Sequence, residues 1–214
     1  MGCGILRKQT NWERLHYYQK TVALYQLTSS FCHRFLPQHG DRTVDQMTQA
    51  ARSGKQNIVE GFAAGVTSTE TELKLLNVAR ASIKELQEDF ADYLKARGLA
   101  MWQTGHPRFA ALLEFCRTHN KAEDYEPVIA KAGAEESANL AITLCRMVDR
   151  MISTHLRAKE ERFTEEGGIR ERMTAARLGR RQTQNETIAA LQRENEALRR
   201  EIEELKRLVK GQGY

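Results

Sequence analysis

The last thirty residues of the chain carry an uninterrupted heptad pattern. Its seam positions alternate at spacings of three and four residues: Ile188, Leu191, Asn195, Leu198, Ile202, Leu205 and Val209. A two-stranded coiled coil requires this spacing, and β-branched residues at position a with Leu at position d favour a parallel dimer. A single buried Asn at position a fixes register and strand number at some cost in stability. The pattern therefore predicts that the chain assembles, most simply with itself.

Charges flanking the seam agree with this interpretation. Glu194 and Glu201 at position g would face Arg199 and Lys206 at position e of a partner strand. The alternative is a solvated single helix whose alternating charges keep it in water. A seam this regular favours the coiled coil, which we place at residues 184–210.

Composition predicts an all-α protein. The chain has 214 residues, only three Pro and 7% aromatic residues, and Glu, Lys, Arg, Ala and Leu dominate. This length suits one domain with an appendage. Helical periodicity predicts long amphipathic helices over about 11–36, from Asp41 or Thr43 to about 64, from the 67–72 segment to about 97 and after Gly133, with a short helix over 107–118. We expect an antiparallel four-helix bundle over residues 11–162, followed by the C-terminal coiled-coil helix.

Local signals refine this division of the chain. Thr67 with Glu70, and Thr69 with Glu72, are capping-box pairs that predict the start of the third long helix. Gly54 and Gly61 indicate that the second helix is kinked or closely approached by a neighbour. A Glu-Glu-Gly-Gly sequence at 165–168 ends the helical pattern, so 163–183 is interpreted as a basic hinge. Residues 1–10 are expected to be a disordered leader and 211–214 a disordered tail.

Positive charge is concentrated near the C-terminus. Residues 166–214 have a net charge of +3, compared with +2 for residues 1–165. The candidate phosphate-binding residues of the hinge are Arg170, Arg172, Arg177, Arg180 and Arg181. A second candidate patch on the second and third helices consists of Arg52, Lys55, Lys74, Arg80 and Lys84. Such residues would give salt-dependent, largely sequence-independent binding of RNA or DNA; the alternative is a solvated linker.

A basic segment before a zipper is also typical of leucine-zipper transcription factors. Two features argue against a sequence-specific reader of that type. Gly179 would interrupt the basic helix, and the segment has no Asn at a base-reading position, the nearest being Asn185.

No catalytic or metal-binding constellation is evident in the sequence. The histidines are scattered, and Cys116 with His119 lacks the second pair that a zinc site needs. We therefore predict neither an enzyme nor a cofactor or metal site. The four cysteines show no disulfide or zinc spacing, which predicts reduced thiols in a cytoplasmic protein. No apolar run is long enough to cross a membrane, so no membrane partner is expected.

The segment from Val44 to Leu94 resembles the bacterial four-helix-bundle proteins encoded in intervening sequences of 23S rRNA genes. The family's pattern is carried here by Gln46, Ala50, Ala51, Ser53, Asn57, Ile58, Glu60 and Gly61. The first helix fits the same family, and residues 163–181 are similar to a suffix segment that some members carry. Asn57 and Glu60 could form a site, or could satisfy backbone groups at the corner between the second and third helices.

The resemblance implies a non-enzymatic protein. A related protein, the accessory variability protein of diversity-generating retroelements, forms a five-fold ring of four-helix bundles and binds nucleic acid and a reverse transcriptase. By resemblance we expect a homo-oligomer that binds nucleic acid and a partner enzyme such as a reverse transcriptase. A two-stranded zipper cannot pair five tails within one ring, so either rings join through their tails or the ring is not the state here. The rival hypothesis is a structural adaptor that cross-links partners without binding nucleic acid.

Overall fold

The computed structural model describes residues 11–37 and 42–211, apart from the side chains of Glu166, Arg172 and residues 209–211. Within these ranges the chain forms seven α-helices and two short 3-10 turns, and no strand. The helices are α1 (His16–Phe35), α2 (Thr43–Gly65), α3 (Thr69–Ala96), α4 (Phe109–Thr118), α5 (Glu126–Lys131), α6 (Ala134–Glu166) and α7 (Ile169–Gly211). The predicted all-α class is confirmed. The predicted leader at 1–10 and residues 212–214 of the predicted tail lie outside the described residues.

The described residues divide into two compact units, one ending at residue 166 and the other beginning at residue 167. In the first unit, α1, α2, α3 and α6 each pack against two of the others: α2 on α3, α3 on α6, α6 on α1 and α1 on α2. Their apolar faces meet in one core, where the largest fully buried apolar side chains include Phe31, Ile58, Leu86 and Phe90. The 3.6-residue period of these apolar positions is what buries one stripe of each helix.

Small residues let α2 lie very close to α3. A Cβ atom at Gly54 would stand 2.9 Å from Ile83 Cγ1, and one at Gly65 would stand 2.6 Å from the carboxyl carbon of Glu72. At Gly61 the same atom would meet only ordinary contacts at 3.5 Å. Gly54 and Gly65 therefore allow close approach within an unbroken helix, and Gly65, which the sequence analysis missed, is the more tightly enclosed.

The start of α3 differs from the prediction. Ser68 is the N-cap, and its hydroxyl accepts a hydrogen bond from the Thr71 amide at 3.2 Å. The two predicted capping boxes do not form, because their glutamates pair elsewhere: Glu70 with Lys74 at 2.7 Å and Glu72 with Lys159 at 2.8 Å. The two glutamates thus form ion pairs in place of the predicted caps, Glu70 within α3 and Glu72 with α6.

The connection from α3 to α4 is held against α6 by hydrogen bonds. α3 ends before Gly98, which has a φ of +63°, a conformation that favours glycine. Asn139 of α6 accepts from the Trp102 amide at 2.6 Å and donates to the Ala100 carbonyl at 2.8 Å. The Trp102 indole donates to Glu135 at 2.8 Å. These contacts fix a stretch whose sequence has no helical period.

The second unit consists, in its described residues, mainly of α7. Gly167, with a φ of +71°, lies between α6 and α7, as the break predicted at 165–168 requires. The prediction that Gly179 interrupts the basic helix is wrong, because α7 continues through it. A single glycine costs a helix interior about 1 kcal/mol, which the long helix around it can absorb. Residues 169–183 of the predicted hinge are therefore helical.

Candidate nucleic-acid interface

One row of apolar side chains on α7 is exposed. The fractional exposures are 52% for Ile188, 54% for Leu191, 50% for Leu198, 50% for Ile202 and 55% for Leu205. Asn195 is exposed in the same row. The side chain of Val209 lies outside the described part of the chain. Apolar rows of this length usually mark an interaction surface.

Upstream of this row, α7 presents arginines to solvent. Arg170, Arg177, Arg180 and Arg181 are exposed, and Arg172 has no described side chain. At 100° per residue, Arg170, Arg177 and Arg181 lie within about 40° of one another around the helix; we call these three the arginine stripe. The stripe is in phase with the apolar row, because Arg177 and Arg181 occupy positions d and a when the heptad register of the row is continued upstream. Between Ile169 and Gln184, Glu171 is the only acidic residue.

The second candidate patch is partly engaged in contacts within the protein. The Arg80 guanidinium donates to Asp149 at 2.8 Å, and the Lys74 ammonium is 2.7 Å from Glu70. The Lys55 ammonium lies over the Tyr25 ring, 4.4 Å from its centroid. Arg52 and Lys84 are exposed. The structure thus leaves fewer open cations here than on α7.

A groove between α2 and α3 also disfavours phosphate binding on this face. Its volume is about 630 Å³, and its charged lining residues are Arg42, Asp45, Glu85 and Asp89, so carboxylates outnumber cations. Burial, followed by the negative charges of Asp92 and Glu85, raises the pKa of Asp89. The smaller part of this shift, which comes from the charges of Asp92 and Glu85, reflects a negative local potential that would repel a phosphate.

The motif of the resembled family lies on α2, where half of its eight residues are buried. Ala50, Ala51, Ile58 and Gly61 are buried, while Gln46 and Glu60 are exposed. Asn57 donates to the Ser53 carbonyl at 2.9 Å, and the Ser53 hydroxyl is 3.1 Å from that of Ser82. Asn57 therefore bonds within its own helix, and not at the corner between α2 and α3. The motif residues therefore have structural contacts: Asn57 bonds within α2, and Ser53 contacts Ser82 of α3.

A buried polar cluster, which the sequence analysis missed, joins α1, α3 and α6. Glu72 is 1% exposed, and Lys159 donates to its Oε2 at 2.9 Å. His155 Nε2 is 4.0 Å from Glu72 Oε1, and the rings of Tyr17 and Phe62 flank the imidazole at 5.8 and 5.5 Å. Glu72 and Lys159 are 87 residues apart, so no local sequence pattern could have paired them.

The environment of this cluster sets its protonation. Burial, and then the Lys159 charge, lower the pKa of His155 to about 4, so its imidazole is neutral at pH 7. Burial, and then the Glu72 charge, raise the pKa of Tyr17. An ion pair beside a neutral histidine and a neutral phenol is a structural arrangement that links three helices.

A second buried cation holds α4 against α1. Lys20 is 1% exposed and donates to the carbonyls of Cys116 and His119 at 2.6 and 2.7 Å and to the Tyr125 hydroxyl at 3.2 Å. Its charge therefore faces the carbonyl end of α4, where the helix dipole is negative. Burial raises the pKa of the Cys116 thiol to about 12, which makes it a poor nucleophile.

The described residues contain no group of three or more His, Cys, Asp and Glu side chains that could hold a metal ion. None of their helices combines the length and apolar character needed to cross a membrane.

Comparison of the chain with known proteins gives no match to a family model, a curated protein or a solved structure. The functional assignment therefore depends on the residues and contacts described above.

Proposed function

We propose that this chain is a homo-oligomeric protein without catalytic activity that binds nucleic acid through the arginines of α7. In this proposal α1, α2, α3 and α6 form an antiparallel four-helix bundle, and α7 pairs with its counterpart in a second copy. The observation that carries the proposal is that α7 presents exposed arginines and an exposed apolar row on one continuous helix.

The bundle is supported by the packing of its helices. Four long helices pack in a closed cycle of neighbours around one core. The connection between α2 and α3 spans only residues 66–68, which is short enough to reverse the chain between adjacent helices. The longer connection between α3 and α6 contains α4 and α5, and Lys20 and Asn139 anchor it.

Pairing of α7 is supported by the chemistry of its exposed row. Burying five half-exposed Leu and Ile side chains against a second copy would remove them from water, and each is worth roughly 1 kcal/mol or more. The complementary charges at positions g and e, Glu194 and Glu201 with Arg199 and Lys206, favour a parallel partner of the same sequence.

Nucleic acid as the ligand is supported by the type and placement of the cations. Arg forms bidentate contacts with phosphate and stays charged at any physiological pH. Pairing through α7 would double the number of arginines presented to one ligand. By the resemblance described above, such a protein would serve as a cytoplasmic accessory to a nucleic-acid enzyme such as a reverse transcriptase.

The proposal is tested by fluorescence anisotropy with labelled RNA and DNA, single-stranded and duplex, over a salt series. We expect the logarithm of the association constant to fall linearly with the logarithm of salt concentration. Arg177→Gln/Arg181→Gln should reduce that slope, whereas Arg52→Gln/Lys84→Gln, which removes two exposed cations from α2 and α3, should leave it close to wild type. Absence of binding to every probe at low salt would refute the proposal.

The exposed apolar row on its own also supports a second function, that of a structural adaptor. In that case α7 would assemble the chain or recruit a helical partner, and the arginines would only keep this part of α7 soluble. Assembly that depends on the apolar row, with no nucleic-acid binding, would favour the adaptor.

A further inference from the structure

We propose that the α7 helices of two copies separate upstream of Gln184 and hold a B-form DNA duplex between them, with the arginine stripes on its phosphates. This inference rests on the pairing of α7 in the proposed function. It adds the class of nucleic acid and the geometry of its binding.

Separation of the helices follows from the residues that continue the seam. Upstream of Ile188, positions d, a, d and a are Gln184, Arg181, Arg177 and Thr174. In a parallel pair, each arginine at these positions would face the same residue of the partner. Helices in a coiled coil are about 8–10 Å apart, so paired stripes would bring like charges together with no acidic side chain at a seam position. The paired state is therefore unfavourable upstream of Gln184, and a polyanion between the helices would relieve the repulsion.

Continuity of α7 turns the separated segments into two helical arms. The helix begins at Ile169 and passes through Gly179 into the apolar row without a break. At 1.5 Å per residue, an arm from Ile169 to Gln184 is about 23 Å long, and the stripe from Arg170 to Arg181 covers about 16 Å of it. The stripe shares the face of the apolar row, so it points inward, toward the space between the arms.

The shape of the arms favours DNA over RNA. The major groove of B-form DNA is about 12 Å wide and admits an α-helix, whereas the major groove of A-form RNA is too narrow and deep. A 16 Å stripe corresponds to roughly five base pairs of B-form DNA at 3.4 Å each. Because the arm lacks Asn and its inward face carries Arg170, Arg177 and Arg181, the binding should depend on phosphates and tolerate many sequences.

A variant pair on the full chain tests the stripe. Arg177→Gln/Arg181→Gln removes two charges from it, and Arg193→Gln/Arg200→Gln removes two from position f of the coiled coil, on the face opposite the seam. With a labelled 20-base-pair DNA duplex as the probe, we expect the stripe variant to bind about tenfold or more weakly and the control variant within about threefold of wild type. If both variants lose the same affinity for the duplex, net charge explains the binding, and the claim that the arginine stripe contacts the DNA is wrong.

Two further measurements test the duplex and the two arms. Wild type should bind the DNA duplex more tightly than an RNA duplex or a single strand of the same sequence. Leu198→Asp, which places a charge in the seam, should lower affinity for the DNA duplex about tenfold or more by separating the arms. This inference would be overturned if an RNA duplex or a single strand bound as tightly as the DNA duplex or more tightly. It would also be overturned if Leu198→Asp kept the wild-type affinity for the DNA duplex. Either result would leave the proposed function standing. Absence of binding to all probes would overturn both.

Discussion

Glu72 shows most clearly how a single residue acts in this fold. It lies in the first turn of α3, where its carboxylate occupies the space that the missing side chain of Gly65 leaves and pairs with Lys159 of α6. Both partners are largely removed from solvent, with side-chain exposures of 1% and 19%. Removal of one partner from such a pair leaves an uncompensated charge, which costs more than the pair itself contributes.

We therefore predict that Glu72→Gln lowers the free energy of unfolding by about 3 kcal/mol. The matched control is Glu70→Gln, two residues away; its partner Lys74 has a 72% exposed side chain, and loss of this surface pair should change the stability much less. Urea denaturation followed by circular dichroism gives both values. Similar values for the two variants would contradict the importance of burial at Glu72.

His155 makes stability depend on pH. In the folded chain its pKa is about 4, compared with the ordinary value of 6.5, so the unfolded chain binds this proton more readily. The folded state should therefore lose stability as the pH falls from 6.5 to 4, by at most about 3 kcal/mol from this residue. We predict that His155→Phe, whose ring suits a site beside Tyr17 and Phe62, weakens this dependence.

The measurement is urea denaturation at pH 7 and at pH 4.5, for wild type and His155→Phe. His16→Gln, a change at an exposed ring, is the control and should keep the wild-type difference between the two pH values. If His155→Phe loses as much stability on acidification as wild type does, the neutral buried imidazole is not the cause.

At the scale of elements, helices could be predicted where local signals specify them. The apolar stripes of α2 and α3 and the glycine after α3 predicted the ends of these helices to within about two residues, whereas α1 begins five residues after its predicted start. α5 was missed because it has only six residues. The turn before it is held by a hydrogen bond from Lys20 to Tyr125, a residue 105 positions away in the sequence, which no local pattern reveals. The capping prediction at α3 failed for a related reason: Glu72 forms a long-range pair with Lys159 that outweighs a local cap.

The candidate site was predictable to a similar extent. The arginines and the apolar row of α7 are visible in the sequence because heptads and charge runs are local patterns. The engagement of Arg80 by Asp149 is not, because it depends on how α3 packs on α6. The sequence also overestimated the effect of Gly179, whose cost is small compared with the stability of a 43-residue helix.

Gly179 gives a prediction for α7. No atom lies within 4 Å of a Cβ built at this position, so alanine fits without a clash. We predict that Gly179→Ala stabilises the helix by about 1 kcal/mol and leaves nucleic-acid affinity unchanged or higher. Thermal melting monitored at 222 nm gives the stability. The control is Gly98→Ala, which should destabilise the first unit because Gly98 has a positive φ. A less stable Gly179→Ala would indicate that the helix bends there.

At the scale of the whole molecule, assembly depends on the one polar residue of the apolar row. We predict that Asn195→Ile raises the melting temperature of the coiled coil and broadens its strand number beyond two, because the buried amide penalises other arrangements. Light scattering on the variant and on wild type gives the strand number. If the variant keeps the wild-type number, Asn195 does not specify the dimer.

Pairing of α7 with a second copy is the claim on which the proposed homo-oligomer and its two DNA-binding arms depend, and sedimentation equilibrium of the full chain tests it most directly. Wild type should sediment as an even multiple of 24.5 kDa, whether α7 joins single chains or whole rings. Leu198→Asp should reduce that mass by half, while Arg193→Gln/Arg200→Gln should leave it unchanged. A wild-type mass of 24.5 kDa at micromolar concentration, or a mass that Leu198→Asp does not alter, would contradict the account.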